Sequence, residues 1–265
     1  MKTLITFVHF NRPNQSLYRD NLDFFIKVGL TDSPEHHFNI ILNSDPQGED
    51  IPIRKNVSVI KGHNKNQDWG AYHQSIHAAD IKKYDYFIFI NDTCRGPFMP
   101  SYLPQNLSWV DLFLNKLNNK VKMVGPTWFN EDACPWVTNN LNIKNGKMAH
   151  IQSYCFGVDK KALTLLLENN KFDVIGKAWK ALVRDHEIGC SQLLLEKGYQ
   201  IKPFQLSQYS SKKNGDIAKP NQYFEININP LEVMFFKVIG SGSDTPITPH
   251  IRNKYTKWTL EKLKK

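Results

Sequence analysis

Tyr86-Phe-Ile-Phe-Ile90 is an uncharged run that stops abruptly at Asn91-Asp-Thr-Cys-Arg-Gly-Pro97. A strand with one solvated face alternates apolar and polar side chains, so a run that is apolar throughout marks a central parallel strand covered on both faces. Helices must supply that cover. Three earlier segments read as further strands. Leu4-Ile-Thr-Phe-Val-His-Phe10 ends at Asn11-Arg-Pro-Asn14, Phe38-Asn-Ile-Ile-Leu42 ends at Asn43-Ser-Asp-Pro46, and Val57-Ser-Val-Ile60 ends at Gly62.

Helical spacing appears between the strands. Leu17, Leu22, Phe25 and Val28 predict a helix closed by Gly29 in the left-handed conformation. Trp69, Tyr72, Ile76 and Ala79 predict another from Asp68 to about Asp80, with Asp68 near its cap. Ser108 and Asp111 form a capping-box start ahead of Val110, Phe113, Leu114 and Leu117. Later come strand Val121–Gly125, strand Ile151–Val158, a helix from Asp159 to about Glu168, a helix from about Asp185 to Lys197 closed by Gly198, and strand Tyr199–Phe204. The alternation implies an α/β chain with a mixed, mainly parallel central sheet flanked by helices, forming one domain with a C-terminal extension. Residues 207–220 and 240–246 read as loops.

Charge narrows the partners. The 265 residues carry a formal +9, but Arg252 to Lys265 hold six bases and one acid, leaving +4 for the first 251 residues. No basic patch with interleaved aromatics occurs outside this tail, which argues against nucleic acid. The tail mixes bases with Tyr255, Trp258, Leu260 and Leu263, suiting either peripheral contact with an anionic membrane or a solvated terminal helix. Cys94, Cys134, Cys155 and Cys190 form no C-x-x-C pair, so reduced thiols and a cytoplasmic location are expected. The first apolar run is too short for a signal peptide, and no segment approaches the roughly 20 apolar residues of a membrane span.

Ligands of open α/β sheets collect at the carboxyl ends of strands, where loops and helix N-termini offer unpaired donors. Here those ends carry His9, Asn11 and Arg12; Asn43, Ser44 and Asp45; His63 and Asn64; and Asn91, Asp92 and Thr93. No G-x-G-x-x-G follows the first strand, and no G-x-x-x-x-G-K-[ST] loop occurs. Dinucleotide oxidoreductase and P-loop readings therefore lose their main support.

Asn66-Gln-Asp-Trp-Gly-Ala-Tyr72 and Tyr84-Asp-Tyr-Phe-Ile-Phe-Ile-Asn-Asp-Thr-Cys-Arg-Gly-Pro-Phe98 resemble the donor-binding half of GT-A glycosyltransferases, closest to the rhamnan-synthesis-F-like group. His150-Ile-Gln-Ser-Tyr-Cys-Phe156 resembles that group's next strand. Asp185-His-Glu-Ile-Gly-Cys-Ser-Gln-Leu-Leu-Leu-Glu-Lys-Gly-Tyr199 is similar to the helix that carries its acidic base. The resemblance spans roughly residues 4 to 204 in order. It implies a GT-A-like catalytic domain over 1–206, with a donor half at 1–98 and an acceptor half at 99–206. Residues 207–265 would then form a loop and basic helix packed on or closing the site.

The implied reaction moves a sugar from a UDP-, GDP- or dTDP-linked donor to a glycan or lipid-linked saccharide, in surface or capsular polysaccharide synthesis. His9, Asn11, Arg12, Asn43, Asp45, Asp68, Gly70, Asn91 and Arg95 are the donor-binding candidates. Many family members hold a divalent cation with D-x-D. Asn91-Asp92-Thr93 departs from that pattern by offering one carboxylate, which with phosphate oxygens and water can still hold Mn²⁺ or Mg²⁺. His250 is the positional candidate for a further ligand. Glu187 is the expected general base, at a helix start, with Asp185 its rival, because residues two apart on a helix point about 200° apart. A positioned carboxylate base favours inversion at the anomeric carbon.

Plainer readings stand beside these. Asp92 could be a turn residue, Glu187 a first-turn acid favoured by the helix dipole, and His9 a core histidine. Trp69 and Tyr72 read as core. Trp128, Phe129 and Trp136 could stack on acceptor sugars or simply pack. A non-catalytic carbohydrate- or nucleic-acid-binding module on the same scaffold is the alternative function.

Overall fold

The computed structural model describes residues 1–12, 14–43, 51–104, 106–129, 148–204, 231–239 and 247–263. Its strands are β1 (Thr3–His9), β2 (His36–Leu42), β3 (Val57–Lys61), β4 (Tyr86–Asn91), β5 (Cys94–Arg95), β6 (Val121–Gly125), β7 (Trp128–Phe129), β8 (His150–Ile151), β9 (Cys155–Asp159), β10 (Gln200–Pro203) and β11 (Phe236–Lys237). Seven of them make one sheet, in the order β10-β6-β9-β4-β1-β2-β3. All its pairings are parallel except those of β9, which runs antiparallel to both β4 and β6. The mixed, mainly parallel sheet expected from the sequence is present.

β4 shows why its run had to be apolar throughout. Phe87 and Phe89 point to one face and pack with Trp69, Tyr72 and Phe156, whereas Ile88 and Ile90 join Phe7, Phe25 and Phe113 on the other. Each such side chain contributes about 1.5–3 kcal/mol on burial. Helix α1 (Ser16–Val28) and helix α3 (Trp109–Lys116) cover the second face, while α2 (Gln67–Ala78) and α4 (Lys160–Glu168) cover the first. The capping box is made: Ser108 Oγ accepts from Asp111 N–H, and Asp111 accepts from Ser108 N–H.

Several local expectations change. Gly29 follows α1 but is right-handed, with φ −89°; a Cβ there would lie 2.6 Å from the Phe25 ring, so close packing and not a left-handed cap requires glycine. α2 begins at Gln67 on a left-handed Asn66, and Asp68 sits in its first turn instead of at its cap. The 151–158 strand is broken into β8 and β9 by a turn at Gln152–Tyr154. The helix around Glu187 begins earlier, as α5 (Trp179–Ala181), passes through a π-helical stretch (Leu182–Ile188) and continues as α6 (Gly189–Glu196); Gly198 closes it with φ +80°. Glu187 is thus well inside a helical run, and the first-turn dipole reading falls.

The C-terminal part is built into the fold. Met234 and Phe235 lie in the same core as Phe113 and Ile90, and β11 pairs antiparallel with β5. Helix α7 (Ile247–Lys262) packs Tyr255 on Phe98, ring centroids 4.5 Å apart. The loops at 207–220 and 240–246 fall outside the described residues, as do Asp45, Cys134 and Trp136.

Gly70 is a sharp packing constraint. A Cβ there would sit 1.8 Å from the backbone oxygen of Lys65, on the tight turn entering α2. Gly70→Ala is expected to lower stability by on the order of 3 kcal/mol, as overpacking against backbone does, measured by urea unfolding.

Candidate functional site

The chain runs β1, β2, β3 to one side and then returns to β4 on the other side of β1, so the sheet order reverses between β1 and β4. Such a switch point opens a crevice at the strands' carboxyl ends. A cavity of about 700 Å³ lies there, lined by Val8 and Phe10 at the end of β1, Asn43 after β2, Asn91–Thr93 at the end of β4, and the start of α2. Its opposite wall is the β8 turn and the π-helical stretch with Glu187.

Asp92 is buried and held from the β1 side. Its Oδ2 accepts from Phe10 N–H at 2.7 Å and lies 2.7 Å from His9 Nδ1, while its own N–H donates to Val8 O. His9 is fully buried, so it orients Asp92 instead of facing a ligand. Burial raises the Asp92 carboxyl above its ordinary range, and the His9 contact opposes that rise. Asn91 orients the neighbouring acid: its Nδ2 donates to Asp68 Oδ2 at 2.8 Å, and its Oδ1 accepts from Thr93 N–H and the Thr93 hydroxyl.

Asp68, in the first turn of α2, shares the cavity lining with Glu187. Burial first, and then the charge of Glu187, push its pKa up to about 6; Asn91, Trp69 N–H and Lys237 act in the opposite sense. The folded chain therefore binds this proton more tightly than the unfolded chain, whose value is 3.8. Its contribution to stability is full below about pH 4 and is lost as pH rises to about 6. Carboxyl ¹³C titration should place Asp68 near pH 6, and Glu187→Gln should lower that midpoint; an unmoved midpoint would show that the two carboxylates do not interact.

Glu187 is fixed by the broken strand. Its Oε1 accepts from Ser153 N–H at 2.9 Å, and the Ser153 carbonyl accepts from the Tyr72 hydroxyl at 3.0 Å. The turn that interrupts β8–β9 thus ties Glu187 to the α2 face of the core. Asp185 instead forms a two-bond pair with Arg184 (2.6 and 2.7 Å) and is not among the cavity-lining residues. His186 is buried against Trp69, with its Nδ1 bonded to Lys171 O.

The remaining candidates separate. Arg12 and Asn43 line the cavity; Arg12 donates to the Tyr18 hydroxyl and lies over that ring. Asn43 is buried and accepts from Asn64 N–H. Asn11 and Gly70 do not line it, and Gly70 serves the turn described above. Arg95 is buried beneath α7 on a different surface, because β5 turns its side chain toward α1. His250 is exposed on α7, away from the cavity lining. Trp69 and Tyr72 are core, as expected.

Lys237 and Trp179 are among the lining residues that the sequence pattern did not single out. Lys237, on β11, enters the cavity near Tyr154 and is electrostatically coupled to Asp68. The signal for it was the apolar run Val233-Met-Phe-Phe236, which has core composition inside a region otherwise read as loop. Trp179, 56% exposed, also lines the cavity, as does Phe129. The cavity therefore holds the carboxylates of Asp68, Asp92 and Glu187 and the cations of Arg12 and Lys237. Among the described residues no three His, Cys, Asp or Glu side chains are grouped as a metal site. Nor is any helix among them long and apolar enough to cross a membrane.

No protein-family model matches the chain, and no curated protein does. Solved structures similar to it include the mannosyltransferase PcManGT from Pyrobaculum calidifontis in complex with GDP-Man and Mn²⁺, at 11% identity and TM-score 0.44, covering 98% of this chain and 72% of that one. The bifunctional glycosyltransferase WbbM, in its apo form, aligns at 11% identity and TM-score 0.41, covering 96% of this chain and 51% of its own length. Likenesses this distant transfer no activity, so function rests on the residues of the cavity.

Proposed function

We propose that the chain is a glycosyltransferase that moves a sugar from a nucleotide-diphosphate donor to a saccharide or lipid-linked acceptor, in surface or capsular polysaccharide synthesis. The resemblance of its ordered motifs to the rhamnan-synthesis-F-like GT-A group supports the class. The observation that carries it is the gathering of Glu187 with the Asp68, Asn91 and Asp92 cluster in the lining of one switch-point cavity.

Displacement at an anomeric carbon needs a proton acceptor for the attacking hydroxyl and positive charge for the leaving diphosphate. With Oε1 held by Ser153 N–H, Glu187 offers its other oxygen to the acceptor hydroxyl. As the new C–O bond forms, the proton passes to Glu187, the bond to the diphosphate oxygen breaks, and the configuration inverts. Arg12 and Lys237 supply fixed positive charge from the donor side. A divalent ion, when bound, would neutralise the diphosphate. Asp92 fits such an ion, since both of its hydrogen bonds fall on Oδ2 and Oδ1 is left for a ligand, with phosphate and water completing the shell. Phe129 and Trp179 in the cavity lining fit an acceptor sugar's apolar face.

Calorimetry of the full chain against UDP-, GDP- and dTDP-sugars, with and without Mn²⁺, tests the class. One nucleotide series is expected to bind, at least tenfold more tightly with Mn²⁺. Absence of binding by all three would overturn the reading and favour a saccharide-binding module.

A further inference from the structure

Arg95, which does not line the main cavity, is only 5% exposed. Its Nε donates to Asn21 Oδ1 at 2.7 Å, and one terminal nitrogen donates to Thr256 Oγ1 at 3.3 Å. The other terminal nitrogen, Nη2, is buried with no hydrogen-bond partner. Among the described residues no carboxylate forms an ion pair with Arg95. A buried guanidinium is normally matched by a carboxylate or phosphate, because an uncompensated buried charge and an unmade hydrogen bond both cost stability.

Arg95 lines a cleft of about 490 Å³ together with one face of α7: Asn253, Thr256, Lys257, Leu260 and Glu261. Arg252 adds positive charge and acts with burial to push the Arg95 pKa down to about 10, while the Asp20 carboxylate acts in the opposite sense and offsets part of that charge. The Thr256 hydroxyl, having accepted from Arg95, has its own proton to donate. The Asn253 amide likewise keeps its N–H groups, because only its oxygen is taken, by Arg252 Nε. Glu261 opposes this positive charge in part and lies 3.9 Å from Lys257.

We propose that this cleft between β5 and α7 is a second anion site, which takes a phosphate group on Arg95, Lys257 and Thr256. A tetrahedral oxyanion suits it because arginine's planar fork can present two parallel N–H groups to such an ion, and lysine adds a point charge. The site is independent of donor chemistry. Its phosphate could belong to a soluble ion or to a lipid headgroup, and the two arms below separate those sources.

Melting of the full chain is compared in sodium phosphate and sodium chloride at matched pH and ionic strength. Wild type should gain several degrees in phosphate, since a ligand that binds only the folded state stabilises it. Lys257→Gln, whose side chain is 80% exposed and whose folding is safe, should lose at least half of that gain. Arg95→Gln should lose all of it. Lys254→Gln, off the cleft, and Lys237→Gln, in the main cavity, should keep it. Equal gains in wild type and Lys257→Gln, or a gain lost only in Lys237→Gln, would overturn the proposal, as would no gain in wild type. Flotation with phosphatidic acid vesicles, against phosphatidylcholine alone, assigns the source. Binding by wild type that falls in Lys257→Gln points to lipid phosphate, whereas a melting gain without flotation points to a soluble phosphate.

Discussion

Glu187→Gln should cut transfer by about 10²–10⁴-fold, the usual contribution of a positioned general base, while leaving donor affinity within a few-fold. The amide preserves the shape, and its carbonyl oxygen can still accept from Ser153 N–H, so the helical run should keep its place. Only the proton acceptor is lost. Asp185→Asn is the control: its carboxylate is committed to Arg184, outside the cavity lining, and its turnover should stay close to wild type. Steady-state rates together with donor calorimetry make the comparison. Wild-type turnover in Glu187→Gln would remove it as base and reopen the choice among Asp185, Asp68 and water.

The second large effect belongs to Asp92, where two substitutions must be distinguished. Asp92→Ala would strip an acceptor from Phe10 N–H and from His9, both packed at the end of β1, and breaking a buried pair of this kind costs about 3–5 kcal/mol. Lost activity in that variant would report unfolding as much as chemistry. Asp92→Asn keeps an oxygen for both contacts and removes the charge. It should therefore melt close to wild type yet lose at least 10²-fold in turnover, together with the strengthening of donor binding by Mn²⁺. A variant that melts normally and retains metal-strengthened binding would exclude Asp92 as the metal-facing carboxylate.

The order of strands and helices was readable because each element carries its own periodicity. β4 is apolar on both faces, α2 repeats at three and four residues, and α3 announces itself with a capping box. What failed was boundaries and breaks. The helix bearing Glu187 begins six residues before the expected Asp185, at Trp179, since a π-helical stretch spoils the 3.6-residue rhythm. The 151–158 strand is interrupted where Ser153 turns to meet Glu187, a demand made by a residue 34 positions away.

The candidate site divides in the same way. Asn43, Asn91 and Asp92 were legible because polar residues directly after buried strands must lie at one edge of the sheet. Arg95 had the same sequence credentials, three residues beyond Asp92, yet it points under α7 because β5 pairs with β11 and not with the main sheet.

The linear pattern alone determined that this chain builds a mixed α/β sheet with chemistry at its carboxyl edge, since burial on two faces is written into consecutive residues. Tertiary structure decided which polar groups share a cavity. Asp68, Glu187 and Lys237 come from α2, a π-helical stretch and a strand beyond residue 230. Their coupling falls off with distance through space, and no sequence separation encodes that distance.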